Sequence, residues 1–195
     1  MSPTNNLVPI LETDRIILRA HRSEDFDAVH TMWQHPAIYE QITGKPSTRE
    51  QSWARLLRYS GLWNMIGFGF WAMEDKASGE FIGEMGYADF RREITPGFGD
   101  APEMGWVLAP NAHGKGYASE ALSRVVAWGD TFFQQERAVC IISPKNTASQ
   151  RLAAKNGFVK VLETTYTDEP VFLLERKFQF VNGAETGLSP APAAR

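Results

Sequence analysis

The hydrophobic positions of this chain change their period repeatedly, and each period predicts a different kind of element. Short runs rich in β-branched and aromatic residues, bounded by turn residues, predict strands. Such runs lie at residues 15–20, 68–74, 80–90, 103–109, 137–143, 158–163 and 171–178. The turn residues DKASG join the second and third runs, which predicts a hairpin there. The pattern therefore predicts a sheet of about seven strands.

Apolar residues at spacings of three and four predict helices between these strands. The first helix is predicted to begin at Ser23, its N-cap, and to end at Pro36. Further helices are predicted over residues 49–60, 116–133 and 146–157. This order of elements indicates an α/β fold in which helices pack on one mixed sheet.

Composition excludes several classes of protein. The chain has 195 residues, of which 43% are hydrophobic, enough for one globular domain with a sizeable core. The formal net charge is −3 and there is no basic run, so the composition does not support nucleic-acid binding. Cys140 is the one cysteine, which excludes an internal disulfide and a cysteine-rich metal site. We expect no bound metal.

The two ends of the chain are expected to differ from the domain between them. The domain is predicted over residues 11–180, with an N-terminal extension at 1–10 and a flexible Pro- and Ala-rich tail at 181–195. The first residues lack the charged and apolar regions of a signal peptide. No apolar run approaches the roughly 20 residues that span a bilayer. We therefore expect a cytoplasmic protein without a membrane anchor.

The segment Asn111–Leu122, NAHGKGYASEAL, raises the main chemical question, because a glycine-rich turn that opens a helix often holds a phosphate. It does not match the Walker pattern, since Gly116 follows Lys115 where Ser or Thr is required. It does not match the dinucleotide pattern either, since Ser119 occupies the third glycine position. The main-chain N–H groups of Gly114–Ala118 are expected to face a pyrophosphate. Taken alone, a purely structural glycine-rich helix start is the competing interpretation.

Two segments together, EMGWVLAPNAHGKGYASEAL and NTASQRLAAKNGF, closely resemble the GNAT superfamily of N-acetyltransferases, within it the Rim-type enzymes that acetylate ribosomal-protein N-termini. The resemblance covers about residues 11–178. Its most specific part is the loop (Arg/Gln)-x-x-Gly-x-(Gly/Ala), which Gly116 and Ala118 match, whereas His113 stands where Arg or Gln is usual. The resemblance implies a single GNAT-like domain with a mostly antiparallel sheet, and it implies acetyl-coenzyme A as co-substrate.

The resemblance also assigns cofactor-binding positions. The strand that carries Trp106, Val107 and Leu108 is expected to splay from its neighbour and to pair with the pantetheine arm. Asn146 is expected to hydrogen-bond the pantetheine, although a helix N-cap without ligand contact is the alternative. The implied cofactor-binding set is Trp106, Val107, Leu108, His113, Gly114, Lys115, Gly116, Tyr117, Ala118, Ser119, Asn146 and Ser149.

Three side chains are predicted to handle protons. Ser149 is expected to donate a proton to the departing thiolate. Glu103, or with less support Glu84, is expected to take the proton of the acceptor amine directly or through water, and the competing interpretation is an ordinary strand carboxylate on a polar face. Cys140 lies in an apolar run typical of a structural thiol, so we expect direct attack rather than a covalent acyl-enzyme.

The acceptor is expected to be a primary amine, either a protein N-terminus or a small molecule, bound by the first two predicted helices and the loop at 91–100. Two other interpretations stay open: a non-catalytic sensor of acyl-coenzyme A on the same fold, and a protein-interaction domain with aromatic-rich first helices. A dimer interface and a substrate groove would both expose aromatic residues, so a monomer and a homodimer are equally compatible with the sequence.

Overall fold

The computed structural model describes residues 7–179, which form one eight-stranded sheet with five α-helices. The strands are β1 Leu11–Glu12, β2 Ile16–Arg19, β3 Phe70–Asp75, β4 Phe81–Ala88, β5 Glu103–Leu108, β6 Arg137–Ile142, β7 Val159–Tyr166 and β8 Glu169–Lys177. The helices are α1 Phe26–Gln34, α2 Pro36–Ile42, α3 Arg49–Ile66, α4 Tyr117–Phe132 and α5 Thr147–Lys155. The predicted α/β class is confirmed, and the predicted seven strands lack only the two-residue β1.

The order of strands across the sheet is β1-β2-β3-β4-β5-β6-β8-β7. Every neighbouring pair is antiparallel except β5 and β6, which are parallel and joined through α4. A parallel pair needs a long crossover, and α4 provides it. This parallel pair of described strands lies in the interior of the sheet, directly beside the glycine-rich segment.

Each face of the sheet is covered by its own helices. Buried apolar residues of α4, including Leu122 and Val125, pack against β3 and β4 on one face. On the other face, Trp33 of α1 and Leu56 of α3 pack with Val107 of β5. β5 consequently has a different set of helical neighbours on each of its faces.

The start and end of the first helices differ from the prediction. Residues Ser23–Asp25 form a turn of 3-10 helix, and α1 begins only at Phe26, so Ser23 is not its N-cap. Pro36 ends α1 as predicted, but it also occupies the first turn of α2, a helix that the pattern did not indicate. Proline has no N–H to donate, and the first turn of a helix does not require one.

The limits of the predicted domain fall partly outside the described residues. The predicted tail at 181–195 and the first six residues of the predicted extension lie outside them. Within the extension, Val8 is buried in the core, and the Pro9 carbonyl accepts a hydrogen bond of 2.8 Å from Nε1 of Trp71. Between residues 7 and 179, no helix is long and apolar enough to cross a bilayer.

Candidate active site

A cleft opens where β5 and β6 part. The two strands share one register pair, Glu103 with Val139, and beyond it β5 stays paired with β4 alone. The predicted splay is therefore present. The cavity beside it has a volume of about 520 Å³ and lies between β5, the glycine-rich loop, α5 and α2.

The direction of the β5 main chain decides which of its polar groups face this cleft. The carbonyl of Pro102 accepts a bond from the β6 side, and the N–H of Ala109 donates to Ile82 on the β4 side. Main-chain groups alternate along a strand, so those of Trp106 and Leu108 face the cleft. Those of Val107 face β4. The Val107 oxygen lies so close to the β4 backbone that a Cβ placed on Gly83 would be only 2.5 Å from it. Val107 lines the cleft without offering it main-chain hydrogen bonds.

The His113 side chain satisfies one of these open groups. Its Nε2 lies 2.9 Å from the carbonyl oxygen of Leu108. A carbonyl can only accept, so Nε2 carries the hydrogen in this contact. The residue that departs from the usual Arg or Gln of the loop thus holds the end of β5 in place.

The glycine-rich loop leads into the N-terminus of α4. Gly116, the N-cap, has a φ of +83°, a left-handed conformation that side chains with a Cβ disfavour. Glu120 makes the first main-chain bond of the helix, to the Gly116 carbonyl. The N–H groups of residues 117–119 have no partner within the helix and lie at its positive end. This helix start can bind an anion.

Ten of the twelve predicted cofactor residues line the cleft: Trp106, Val107, Leu108, His113, Gly114, Gly116, Ala118, Ser119, Asn146 and Ser149. The other two predicted cofactor residues, Lys115 and Tyr117, do not line it. The Lys115 carbonyl accepts a bond of 2.9 Å from Arg15, and the Tyr117 hydroxyl donates to Asp75. The contact of Lys115 thus engages its main chain, whereas that of Tyr117 turns its side chain toward β3.

The first turn of α5 forms the opposite wall. Asn146 is the N-cap, because its Oδ1 accepts a bond of 3.0 Å from the Ser149 N–H. The Ser149 Oγ accepts from Nε1 of Trp106 at 3.2 Å, across the cleft. Since an indole nitrogen only donates, the Ser149 hydroxyl hydrogen is available to another acceptor.

The sequence patterns missed one wall of the cleft and two cations near it. The inner residues of α2, Ala37, Ile38, Gln41 and Ile42, line the cleft, and so does Lys145. Lys155 donates to Ser119 at 2.8 Å, next to the start of α4. The one available signal for α2 was Pro36, which reads equally well as the end of α1 and as the first turn of a new helix.

Glu103 lies at the closed end of the splay in a two-point ion pair. Its two carboxylate oxygens accept from Nε and Nη2 of Arg92 at 2.5 and 2.8 Å. Burial raises the pKa of Glu103, and Arg92 acts in the opposite direction. The side chain is buried, so the ordinary exposed carboxylate considered from the sequence does not describe it.

Glu84 is fully buried in a polar cluster that no sequence pattern indicated. Its Oε1 accepts from Nε1 of Trp33 at 2.9 Å and from the Tyr59 hydroxyl at 2.8 Å. Its Oε2 and both ring nitrogens of His21 have no hydrogen-bond partner among the described residues, and Nε2 of His21 lies 3.7 Å from Oε2. Four residues, from the loop after β2 and from α1, α3 and β4, meet here, which only tertiary folding can bring about.

The two carboxylates share a face of the sheet but not a position on it. Glu84 is opposite Val107, and Glu103 is opposite Ala88, four residues further along β4. At roughly 3.3 Å per residue their backbones are about 13 Å apart along the strand. One amine therefore cannot be served by both side chains directly.

Cys140 is buried in the core, and burial raises the pKa of its thiol. A thiol in this state is a poor nucleophile. The described residues contain no group of three or more His, Cys, Asp or Glu side chains arranged to bind a metal ion.

Comparison with known proteins adds to this geometry. The sequence model of the acetyltransferase (GNAT) domain matches residues 15–159. YoaA of Bacillus subtilis (strain 168), named as an uncharacterized N-acetyltransferase, is 28% identical over 156 residues, which cover 79% of this chain and 85% of YoaA.

Solved structures show the same architecture. A Bordetella pertussis protein assigned to the GnaT acetyltransferase family is 32% identical, with a TM-score of 0.76 over 86% of this chain and 99% of that protein. RimL, a ribosomal L7/L12 alpha-N-protein acetyltransferase solved in complex with coenzyme A, is 17% identical, with a TM-score of 0.71 over 89% of this chain and 100% of RimL. At that identity, the likeness to RimL is one of fold.

Proposed function

The chain belongs to the GNAT acetyltransferase family and is an acyltransferase, and from this premise we propose that it moves an acetyl group from acetyl-coenzyme A to a primary amine by direct attack in a ternary complex. The observation that carries the proposal is the splay of β5 from β6, with open main-chain groups along one edge and a helix N-terminus at its end. An extended amide-containing arm and a pyrophosphate need these two features.

The chain's own groups fit such a ligand in two places. The N–H groups at the start of α4, together with Lys145 and Lys155 nearby, favour the pyrophosphate. The free main-chain groups of Trp106 and the N–H of Leu108 favour the amides of the pantetheine arm. Because His113 already donates to the Leu108 carbonyl, that oxygen contributes less than the sequence predicted.

When bound, acetyl-coenzyme A supplies an acetyl carbon whose bond to sulfur breaks as the bond to the amine nitrogen forms. A main-chain N–H of β5 stabilises the negative charge that develops on the thioester oxygen. Ser149 lies on the cleft with its hydroxyl hydrogen available, and it delivers that proton to the departing thiolate while it takes up a proton from solvent water. Asn146 holds the first turn of α5 and positions Ser149 through the bond to its N–H.

The acceptor amine must lose a proton, and we assign this task to Glu103 rather than to Glu84. The raised pKa of Glu103 brings this carboxylate closer to neutral pH, where a general base works best. Like Glu84, it lies on the face of the sheet that is covered by α1 and α3. Its Oε1 and Oε2 are bound by the partly exposed Arg92, however, and not by the buried Trp33 and Tyr59. An α-amine, whose pKa is about 8, needs less help than a lysine amine at about 10.4.

The test is release of free thiol from acetyl-coenzyme A with a panel of peptide N-termini, amino acids, polyamines and aminoglycosides. Thiol release that depends on the amine, at the same rate at which the acetylated amine forms, supports the transferase. Tight binding of coenzyme A in calorimetry without any acetylated amine would support the alternative, a sensor of acyl-coenzyme A.

A further inference from the structure

A second cavity, of about 410 Å³, lies between the end of α2 and the first half of α3. Its wall includes three cationic side chains, Lys45, Arg55 and Arg58, together with the polar residues Thr43, Ser47 and Gln51. No acidic residue among those described lines it. We call this cavity the cationic pocket.

The cations of the cationic pocket are not ion-paired with any described residue, although the buried carboxylates Glu84 and Glu103 act at longer range on Arg55 and Arg58. Among residues 7–179, no carboxylate lies within salt-bridge distance of Lys45, Arg55 or Arg58. Arg49 on the same helix does have one, since its Nη2 lies 3.1 Å from Asp27. The polar contact that Arg55 makes is a long one, from Nη1 to the Ser47 hydroxyl at 3.3 Å.

Arg55 is the most confined of the three. Its guanidinium lies 3.6 Å from the centre of the Trp33 ring, and burial lowers its pKa, with the charge of Glu84 acting in the opposite direction. A desolvated cation without a partner is costly, and an anion that binds beside it recovers that free energy. The planar guanidinium fork is matched in geometry to a carboxylate.

Trp33 lies between the cationic pocket and the active-site cleft. One face of its ring carries Arg55, and the residue packs in one cluster with Ile38 and Val107, both of which line the cleft. The two cavities also follow one another along α2, from Ile38 and Ile42 in the cleft to Thr43 in the pocket. Five residues of helix, from Ile38 to Thr43, span about 8 Å.

From this arrangement we infer that the acceptor is a small amine that also carries a carboxylate, and that the cationic pocket binds the carboxylate while the amino group enters the cleft. The inference rests on the proposed acetyl transfer and adds the class of substrate. The short distance between the cavities favours a molecule in which a few bonds separate the two groups. The pocket thereby selects against polyamines, whose second charge is positive.

The test compares matched amines that differ only in the charge of the second group: 4-aminobutanoate with 4-aminobutanamide, and 5-aminopentanoate with its amide. Charge-assisted hydrogen bonds from arginine correspond to a preference of about 10- to 100-fold in kcat/KM for each carboxylate. Calorimetry of 4-aminobutanoate with the protein loaded with coenzyme A gives a readout independent of turnover. We expect binding of the carboxylate to be tighter than binding of the amide by a similar factor.

Variants locate the effect. Arg55→Gln and, separately, the more exposed Arg58→Gln are expected to reduce the carboxylate-to-amide ratio of kcat/KM by about tenfold, mainly through KM. Arg49→Gln is the matched control, because Arg49 lies on the same helix, is paired with Asp27 and lies outside the pocket. It should leave the ratio unchanged. Thermal unfolding of each variant shows whether it is folded, and Arg58→Gln keeps the test available if Arg55→Gln is not.

Each outcome has a distinct meaning. Equal use of carboxylates and amides, with thiol release from both, overturns the cationic pocket as a specificity site but leaves acetyl transfer intact. Absence of thiol release with every amine, while coenzyme A still binds, overturns the proposed function itself. Efficient use of peptides with acidic second residues, and poor use of the small carboxylates, overturns the small-molecule assignment in favour of a protein N-terminus.

Discussion

The two sides of β5 are built in different ways. Toward β6, the cleft is made mainly of main-chain groups, glycines and the first turns of two helices from the segment between residues 103 and 152, with α2 as a further wall. Toward α1 and α3, the same strand faces a buried polar network formed by side chains from distant parts of the chain, His21, Trp33, Tyr59 and Glu84. A short sequence motif can specify a site that is made of backbone groups. It cannot specify a site that is made of side chains from distant parts of the chain.

This difference has a consequence for mutational sensitivity. Side-chain changes on the cleft side should act weakly unless they alter backbone conformation. On the side of α1 and α3, removal of one charge leaves a buried partner unsatisfied, so single changes should act strongly.

The largest effect is expected for Glu103→Gln, which keeps the shape of the side chain and removes the base. General-base assistance is typically worth about 10²–10⁴-fold, so kcat near neutral pH should fall within that span. Burial raises the pKa of Glu103, so activity of the unmodified protein should rise with pH through a value above the ordinary 4.3 or so. The measurement is kcat and kcat/KM against pH on one acceptor.

Glu84→Gln is the matched control for Glu103→Gln, because it changes the other buried carboxylate on the same face of the sheet. We expect its kcat to fall less than tenfold, whereas its thermal stability should fall because the buried polar network loses its charged centre. A Glu103→Gln defect that stays constant as the pH rises would assign Glu103 to holding Arg92 instead of to proton transfer. A larger defect in Glu84→Gln would move the base to Glu84.

The second substitution, Asp25→Asn, tests the support beneath α1. Oδ1 and Oδ2 of Asp25 each accept from Arg19 at 2.8 Å in a buried pair, and Arg19 also binds Glu74. Breaking such a pair is expected to lower the free energy of unfolding by about 3 kcal/mol, measured by urea denaturation. Asp27→Asn, which removes the exposed partner of Arg49, should change it little.

Asp25 also predicts an acid dependence of stability. Burial acts to raise its pKa, but the hydrogen bonds from Arg19 and from the Arg22 N–H outweigh burial, so the pKa is lowered in the folded protein. The stabilisation is therefore present above the unfolded pKa of about 3.9 and is lost as the pH falls through the lower folded value. Asp25→Asn should flatten the unfolding free energy in that acid range. An unchanged pH profile would contradict the assignment.

A smaller effect is expected for Gly116→Ala at the start of α4. A residue with a Cβ in the left-handed conformation costs about 1–2 kcal/mol, so the loop should relax to another conformation in the free protein. Binding must restore the original conformation, so coenzyme A should bind roughly 5- to 30-fold more weakly. Gly79→Ala is the control, since Gly79 has a φ of +72° in the β3–β4 turn, outside the cleft. It should lower thermal stability without changing the Kd for coenzyme A. Equal Kd values for both variants would place the anion elsewhere.

The smallest effect is expected for His113→Ala, which removes the bond to the Leu108 carbonyl. One neutral hydrogen bond contributes about 1 kcal/mol, so the Kd for coenzyme A should rise about fivefold. His113→Gln, with an amide donor, should stay within about twofold of the unmodified protein. A loss of 100-fold or more in His113→Ala would show that a side chain, and not the backbone, dominates the loop.

Much of the cleft could be predicted from the sequence because its signals are local. A strand, a glycine-rich turn and an amphipathic helix follow one another from residue 103 to 132, and periodicity and glycine placement identify all three. Asn146 at a helix start is likewise a local signal, and its capping bond to Ser149 is present. Ten of twelve predicted cofactor residues therefore line the cleft. Lys115 and Tyr117 do not line it; the Tyr117 hydroxyl instead binds Asp75, which is far away in sequence.

The opposite side of β5 was decided by tertiary structure alone. Nothing near Glu84 in sequence indicates that Trp33 and Tyr59 donate to it, or that Glu103 is held by Arg92. The cations of the cationic pocket are spread over the α2–α3 loop and α3, where a helix arginine reads as ordinary surface charge. Sequence periodicity reports which face of an element is apolar, whereas the partner of a buried polar group depends on which elements pack together and in what register. Packing and register depend on the whole chain, so the partners of these groups can be identified only in the tertiary structure.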